Sequence, residues 1–387
     1  MPKKYEKYII FYSRYHFLSL SQMRDRVLPP RGISMLKNTL KKGNFELKIH
    51  TSLIHNMLKK KVKIALFYGG KISRHLVMIR EAARKLNVDL KLISYNQVCF
   101  DTEENKVVLR DKTLLESFEV VFFRTTGKHW EEVDLINYEL RISNYELGKR
   151  PIIVDPIVLD GKPSQACKAW QMLKLKEAGI PVPKTVYGSL WYLYDLMNKP
   201  TPNPSLDKEG NPLFSFPIIL KGSGGDRGTR VYKANNLTEL EKLVRDLRKS
   251  ETEEGRRYML QEYIENKGDY RVLILGEKVL GVMKRFRKDR SDFRNNFSVG
   301  GEVEVAELPE EIKKMAVEAA RVCGLMVAGV DIMPRNVDFE LSNKRNDYVV
   351  LEVNKGPQFW GFMKATGIDV PMEIVKFLVS LSKNKFA

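Results

Sequence analysis

Three residues able to hold a hard cation stand close together late in the chain. Asp331 lies in Val330-Asp331-Ile332, and Glu352 and Asn354 lie in Leu351-Glu352-Val353-Asn354. Both runs are otherwise apolar and read as strands. Residues two apart on a strand share a face, so Glu352 and Asn354 point the same way, with Asp331 on the partner strand. Two carboxylates and an amide oxygen suit Mg2+, which keeps part of its shell for water and phosphate. Taken alone, the same residues also read as solvated acids on the outer face of an edge strand.

A second group begins at Lys221, which ends an apolar run and precedes Gly-Ser-Gly-Gly-Asp-Arg-Gly-Thr-Arg. Gly222, Gly224, Gly225 and Gly228 let backbone N–H groups approach an anion, and Lys221 can reach a phosphate oxygen. The G-x-x-x-x-G-K-[ST] loop is absent, and a plain flexible turn accounts for the same glycines. A third group runs from Lys284 to Arg294, where six of 11 residues are Lys or Arg. It reads as a solvated loop, or as a nucleic-acid patch with Phe286 and Phe293 interleaved. It also reads as cationic support for phosphoryl transfer, with Arg294 as a fork for phosphate oxygens.

These residues need a frame, and the apolar patterning supplies one. Val62–Tyr68 reads as a buried strand with Gly69-Gly70 as its turn, followed by a helix over 73–85 with Leu76, Ile79 and Ala83 on one face. Val88–Ile93, Val120–Arg124 and Pro151–Asp155 read as further strands, and Val107–Arg110 as a short hairpin arm. Strand, helix, strand at this spacing predicts an α/β layer with a mostly parallel sheet. Residues 163–183 read as a helix and its exit, with Ala166, Trp170, Leu173, Leu175 and Ala178 as apolar positions and Gly179 as the stop. Four prolines between Asn198 and Phe214 mark a surface loop. Beyond it lie strands at 217–221 and 258–264, a helix at 237–248 and a hairpin at 270–275 and 279–283. A helix then opens at Pro309 with Glu310 and Glu311 in its first turn, and strands follow at 328–333 and 348–353.

The chain of 387 residues carries a net charge of +18, with 43% hydrophobic and 29% charged residues, as an ordinary globular protein does. Residues 1–60 hold 13 basic and three acidic side chains, which is +10 of that charge. Much of the basicity thus sits in one terminal segment, so a nucleic-acid partner is not expected. Cys99, Cys167 and Cys323 have no metal-finger spacing and read as free thiols of a reducing, cytoplasmic environment. No apolar run of ~18 residues predicts a membrane span. Periodicity begins only near Met57, so residues 1–56 are expected to be a basic, flexible extension, or a consequence of start-codon choice.

The order of motifs is Lys221 and its glycine loop, Gln261-Glu-Tyr-Ile, Asp269-x-Arg271, Asp292-Phe-Arg-Asn-Asn, Val330-Asp331-Ile332 and Leu351-Glu-Val-Asn. Over about residues 61–380 that order resembles the ATP-grasp superfamily, and within it the RimK-type glutamate ligases. The resemblance implies an α/β protein with α+β grasp lobes: a Rossmann-like pre-ATP-grasp domain at 57–160, then a two-lobed ATP-grasp domain at 161–387 with the insertion 198–214. It implies an ADP-forming, ATP- and Mg2+-dependent ligase, with Mn2+ able to substitute, that joins a carboxylate to an amine through an acyl-phosphate. The alternative is a nucleotide- or nucleic-acid-binding relative without ligase activity.

By the same resemblance Lys168 and Lys221 match the nucleotide lysines, and Gly224, Gly225 and Gly228 the phosphate loop. Glu262 and Tyr263 match the segment that receives adenine, with Gln261 beside them, and Asp269 matches an acid near the ribose. Arg294 and Asn296 match residues around the transferred phosphate, with Arg294 and Lys221 catalytic. Asp331, Glu352 and Asn354 match the magnesium ligands. The family turn after the metal-binding Asn runs x-Ser-Pro-Gly, whereas this chain has Lys355-Gly-Pro-Gln-Phe-Trp; the substrates are left open by that departure. The expected partners are ATP, a small-molecule or peptide carboxylate and an amine, acidic in character, with no membrane and with oligomerisation undecided.

Overall fold

The computed structural model of the chain describes residues 61–103, 106–147, 151–160, 168–198, 214–222, 230–287, 301–336 and 342–384. The extension 1–56 and nearly all of the loop 198–214 lie outside the described residues. Residues 62–387 form one compact unit.

The first layer is built from β1 (Lys63–Tyr68), α1 (Arg74–Lys85), β2 (Asp89–Ser94), the hairpin β3 (Val98–Asp101) and β4 (Lys106–Leu109), β5 (Val120–Thr125), α2 (Trp130–Leu147) and β6 (Ile152–Val154). Four of these strands pair in the order β2-β1-β5-β6, and every pairing is parallel. Ser73 caps α1, its side chain accepting from the Leu76 N–H, and Leu76, Ile79 and Ala83 are buried, as the apolar periodicity requires.

Then come α3 (Lys168–Glu177), β7 (Thr185–Gly188), α4 (Leu190–Asn198), β8 (Ile218–Gly222), β9 (Val231–Ala234), α5 (Leu237–Thr252) and β10 (Tyr258–Glu262). Strands β7-β10-β8-β9 form a small antiparallel sheet, and the core between it and α4 and α5 is its own. The last group is β11 (Asp269–Leu275), β12 (Lys278–Phe286), β13 (Glu302–Ala306), α6 (Glu310–Val322), β14 (Val327–Pro334), β15 (Tyr348–Lys355), α7 (Trp360–Thr366) and α8 (Val370–Asn384). Its antiparallel sheet runs β13-β12-β11-β14-β15. One core joins one face of this sheet, under α6, to residues of the parallel sheet. A second joins its other face to α1, α7 and α8.

Two expectations need correction. The buried positions of α3 are Met172 and Leu175, while Trp170 and Leu173 are 44% and 47% exposed. The inward face of that helix runs through Lys168, Gln171, Met172 and Leu175, which is helical spacing, and its first two members are polar. The strand expected at 258–264 ends at Glu262.

Candidate functional site

Strands β14 and β15 are antiparallel neighbours, with Asp331 opposite Glu352 and Asn354 opposite Gly329. This register puts all three oxygen-bearing side chains on one face. Asn354 donates from Nδ2 to Glu352 Oε1 at 2.9 Å and to Asp331 Oδ2 at 3.2 Å. Asp331 is 2% exposed, so the solvated-acid reading does not describe it. An ionised carboxylate so buried needs partners. Arg271, directly opposite on β11, supplies a two-pronged contact at 2.7 Å and 2.7 Å. Arg285 on β12 bridges Asp331 at 2.9 Å and Asp269 at 2.6 Å.

Lys168 reaches this face because α3 is fastened to β15. Gln171 donates to the Val353 carbonyl and accepts from the Val353 N–H, both at 2.8 Å, so its amide satisfies a strand at the sheet edge. One turn earlier, Lys168 Nζ lies 2.5 Å from Glu352 Oε2. Burial acts to raise the Glu352 carboxyl, but Lys168, Lys221 and Asn354 hold it well below the ordinary carboxylate range. The Glu352 charge in turn raises the Lys168 ammonium against the opposing effect of burial. Lys221, next to last in β8, is half-buried; burial brings it down to about 8, with Glu352 opposing and Lys168 adding to the fall. Asp269 is raised by burial despite Arg285.

The structure thus brings together Lys168, Lys221, Asp269, Asp331, Glu352 and Asn354, and adds Arg271 and Arg285. Asp269 accepts from Arg285 at 2.6 Å. Gln261 is buried and donates to Thr185 Oγ1 at 2.8 Å, so its side chain is spent within the small sheet. Glu262 and Tyr263 lie where the chain leaves that sheet. Glu262 accepts from the Lys184 N–H at 2.9 Å and from Arg335 at 3.0 Å, and Lys233 stands 4.0 Å over the Tyr263 ring. Gly224, Gly225, Gly228, Arg294 and Asn296 lie outside the described residues.

Among the described residues, four cations (Lys168, Lys221, Arg271, Arg285) face three acids (Asp269, Asp331, Glu352), a positive excess that fits an anionic ligand. Among the described residues no three His, Cys, Asp or Glu side chains converge as a metal cage. Two carboxylates with one amide suit a cation that arrives with phosphate and water as its other ligands. Asn354 shows its nitrogen to both acids here, and a half-turn of the amide shows its oxygen instead.

This fold is that of the ATP-grasp ligases. The ATP-grasp ligase PsnB complexed with a minimal precursor superposes with a TM-score of 0.58 at 19% identity, over 83% of this chain and 98% of that one. D-alanine–D-alanine ligase from Bacillus anthracis gives 0.51 at 15% identity, over 84% and 98%. Residues 193–378 match the model of the RimK-like ATP-grasp domain. A probable alpha-L-glutamate ligase 1 of Shewanella sp. (strain MR-4) is 32% identical over 213 residues, which is 54% of this chain and 62% of that one. Beta-citrylglutamate synthase B of Danio rerio is 30% identical over 223 residues, 57% of this chain and 49% of the relative. The chain therefore spans under two thirds of the length of these curated relatives. Among the described residues no helix is long and apolar enough to cross a membrane.

Arg271 and Arg285 join the cluster without a role assigned to either from sequence. Arg271 stands two positions from Asp269, a same-face spacing on a strand. Arg285 was hidden in a basic run that reads equally well as a solvated loop.

Proposed function

We propose that the protein is an ADP-forming carboxylate–amine ligase that uses ATP and magnesium. The observation that carries this reading is the joining of Lys168, Arg271 and Arg285 to Asp331, Glu352 and Asn354, with Lys221 in their field. The γ-phosphoryl group passes to a substrate carboxylate, giving an acyl-phosphate and ADP. An amine then attacks the acyl carbon, phosphate leaves with the bonding pair, and the amine's proton is released. Such phosphoryl transfer asks the protein mainly for positioning and charge neutralisation. Asp331, Glu352 and Asn354 would hold magnesium, which supplies charge neutralisation on the phosphates. Lys168 and Lys221 bind phosphate oxygens, and Arg294 and Asn296 are assigned to the transferred group. The glycines at 224, 225 and 228 cradle phosphates, and Glu262 and Tyr263 receive the adenine.

The substrate class proposed is an amino acid or peptide, glutamate-like in its acidity, in a cytoplasmic setting. The names of the curated relatives and the basic run 284–294 support this. The assignment of 1–56 as a dispensable extension, 57–160 as the pre-grasp domain and 161–387 as the grasp domain belongs to the same proposal. The test is ADP release with Mg2+ across amino acids and acidic peptides, followed by mass spectrometry for a condensation product. ADP release that no carboxylate–amine pair stimulates, with no amide product, rules the proposal out.

A further inference from the structure

In an open parallel sheet, ligands usually bind outside the carboxyl ends of the strands, where the strand order reverses. Here that reversal falls between β1 and β5, and the carboxyl edge of the sheet does something else: it grips protein backbone. Arg124, on β5, is 4% exposed and donates from Nη2 to the Pro357 carbonyl at 2.5 Å. Pro357 belongs to the turn where the chain departs from the family's x-Ser-Pro-Gly. Gly356, just before it, has φ +53°, and a Cβ there would stand 2.1 Å from Arg124 Nη1 and 2.5 Å from the Arg124 carbonyl oxygen. Only glycine lets the turn seat against Arg124.

Asp155 follows β6 and is fully buried, at 0% exposed. Its Oδ1 accepts from the Met326 and Val327 N–H groups at 2.7 Å and 2.8 Å. Its φ is +60°, a left-handed backbone that costs roughly 1 kcal/mol or more outside glycine and marks positions the surrounding structure over-determines. Ile157, two residues on, donates to the Gly324 carbonyl at 3.1 Å.

These two grips meet at one place. Val327 begins β14 and Pro357 follows β15, and in this antiparallel pair Ala328 lies opposite Lys355. The start of one strand and the end of the other are therefore the same end of a two-strand ladder. Gly356 N–H closes that end onto the Val327 carbonyl at 3.3 Å. The ladder carries Asp331, Glu352 and Asn354 within five residues of the gripped Met326 and Pro357. Arg124 and Asp155 sit in each other's field, and the buried Lys355 ammonium, without a hydrogen-bond partner, lies in the field of both.

We infer that Arg124 and Asp155 are positioning residues: from the parallel sheet they fix the register and tilt of the β14–β15 ladder, and so set how well it holds magnesium with the nucleotide. Each is buried and hydrogen-bonded to backbone of the ladder, so each acts through the ladder. The inference rests on the ligase reading for its functional consequence and on the backbone contacts for its structural one.

The experiment titrates Mg2+ against N-methylanthraniloyl-ADP bound to the full chain, read by fluorescence. It compares wild type with Arg124→Met, Arg124→Lys, Asp155→Asn and Val133→Ala. Val133 is a buried residue of α2 that takes part in neither grip, and its truncation lowers Tm without removing a hydrogen bond to the ladder. Arg124→Met and Asp155→Asn should raise the Mg2+ midpoint about tenfold, the usual consequence of losing an outer support of a metal site, and Arg124→Lys should recover part of the loss. Val133→Ala should leave the midpoint unchanged. Hydrogen exchange at residues 327–331 and 352–356 should quicken in the two clamp variants alone. If Arg124→Met is insoluble, Arg124→Lys and Asp155→Asn, which keep a donor and an acceptor, decide the matter. An unchanged midpoint with unchanged exchange, or an equal shift in Val133→Ala, overturns the inference. A wild type with no Mg2+-dependent signal sinks the ligase reading instead, and the exchange measurement then decides the clamp by itself.

Discussion

The charged residues of the site are matched by geometry as well as by sign. Glu352 is bound by one lysine, whereas Asp331 is bound by two guanidinium groups, one of them two-pronged. Glu352→Gln keeps the shape and an oxygen for Lys168 but removes the charge that a cation needs. We expect Mg2+-dependent ADP release to fall by about 10²-fold, in the range for loss of a positioned charge at such a site, with Tm little changed because Lys168 remains partly solvated. A normal rate in that variant would remove Glu352 from the metal site. Arg271→Met is expected to act on stability instead. It strips one partner from a buried acid, a change that costs about 3 kcal/mol, measurable by urea denaturation. Arg271→Lys should restore less than half of that, since an ammonium lacks the fork; full restoration would show that charge alone matters. At this scale the sequence was informative where spacing on a strand fixes a face, as for Glu352 and Asn354. It was silent on Arg124 and Asp155, because residues so far apart in sequence meet Pro357 and Val327 only through tertiary packing.

Elements with a regular apolar period were legible: α1 and α6, and the strands β1, β5, β11, β14 and β15. The misreading of α3 is instructive, since a helix whose inward face carries Lys168 and Gln171 has its apolar pattern displaced by polar contacts to β15. Strands β7 and β9 are four residues each and half-buried, too short to show a period. β13 is an edge strand with Val305 turned to solvent, so its alternation carries no burial signal. Near the start of α1, His75 packs edge-on to Phe359. Burial, with Arg124 and Arg74 adding, lowers its pKa to about 4. Unfolding restores a value near 6.5. Between these values the unfolded chain binds the extra proton, so this residue's contribution makes stability fall as pH drops from about 6.5 to about 4. His75→Phe keeps the ring contact and removes the titration. Between pH 7 and pH 4.5, Tm of the variant should fall less than Tm of the wild type. Parallel pH curves would mean that His75 protonates as freely in the fold as outside it.

Across the whole molecule, the family resemblance places a boundary near residue 160, and two cores cross from the parallel sheet into the five-stranded sheet, so these layers pack against each other. The small sheet has a separate core formed with α4 and α5. Among the described residues, Glu262 to Arg335 at 3.0 Å ties it to the five-stranded sheet. A lobe with its own core can lose its structure without carrying the remainder with it. Leu260 is fully buried within that core. Leu260→Ala leaves a cavity there, at a cost of about 2–5 kcal/mol. We expect hydrogen exchange to quicken across β7, β8, β9 and β10 while β1, β5, β11 and β14 keep their protection, and urea unfolding to split into two steps. Val330→Ala, an equally buried truncation in the shared core, should instead weaken protection in the parallel and the five-stranded sheets together. Since Lys221 belongs to the small lobe, Leu260→Ala should also weaken nucleotide binding, and saturating Mg2+ and ADP should restore protection by mass action. Uniform loss of protection in both variants would show that the small sheet and the shared body fold as a single cooperative unit.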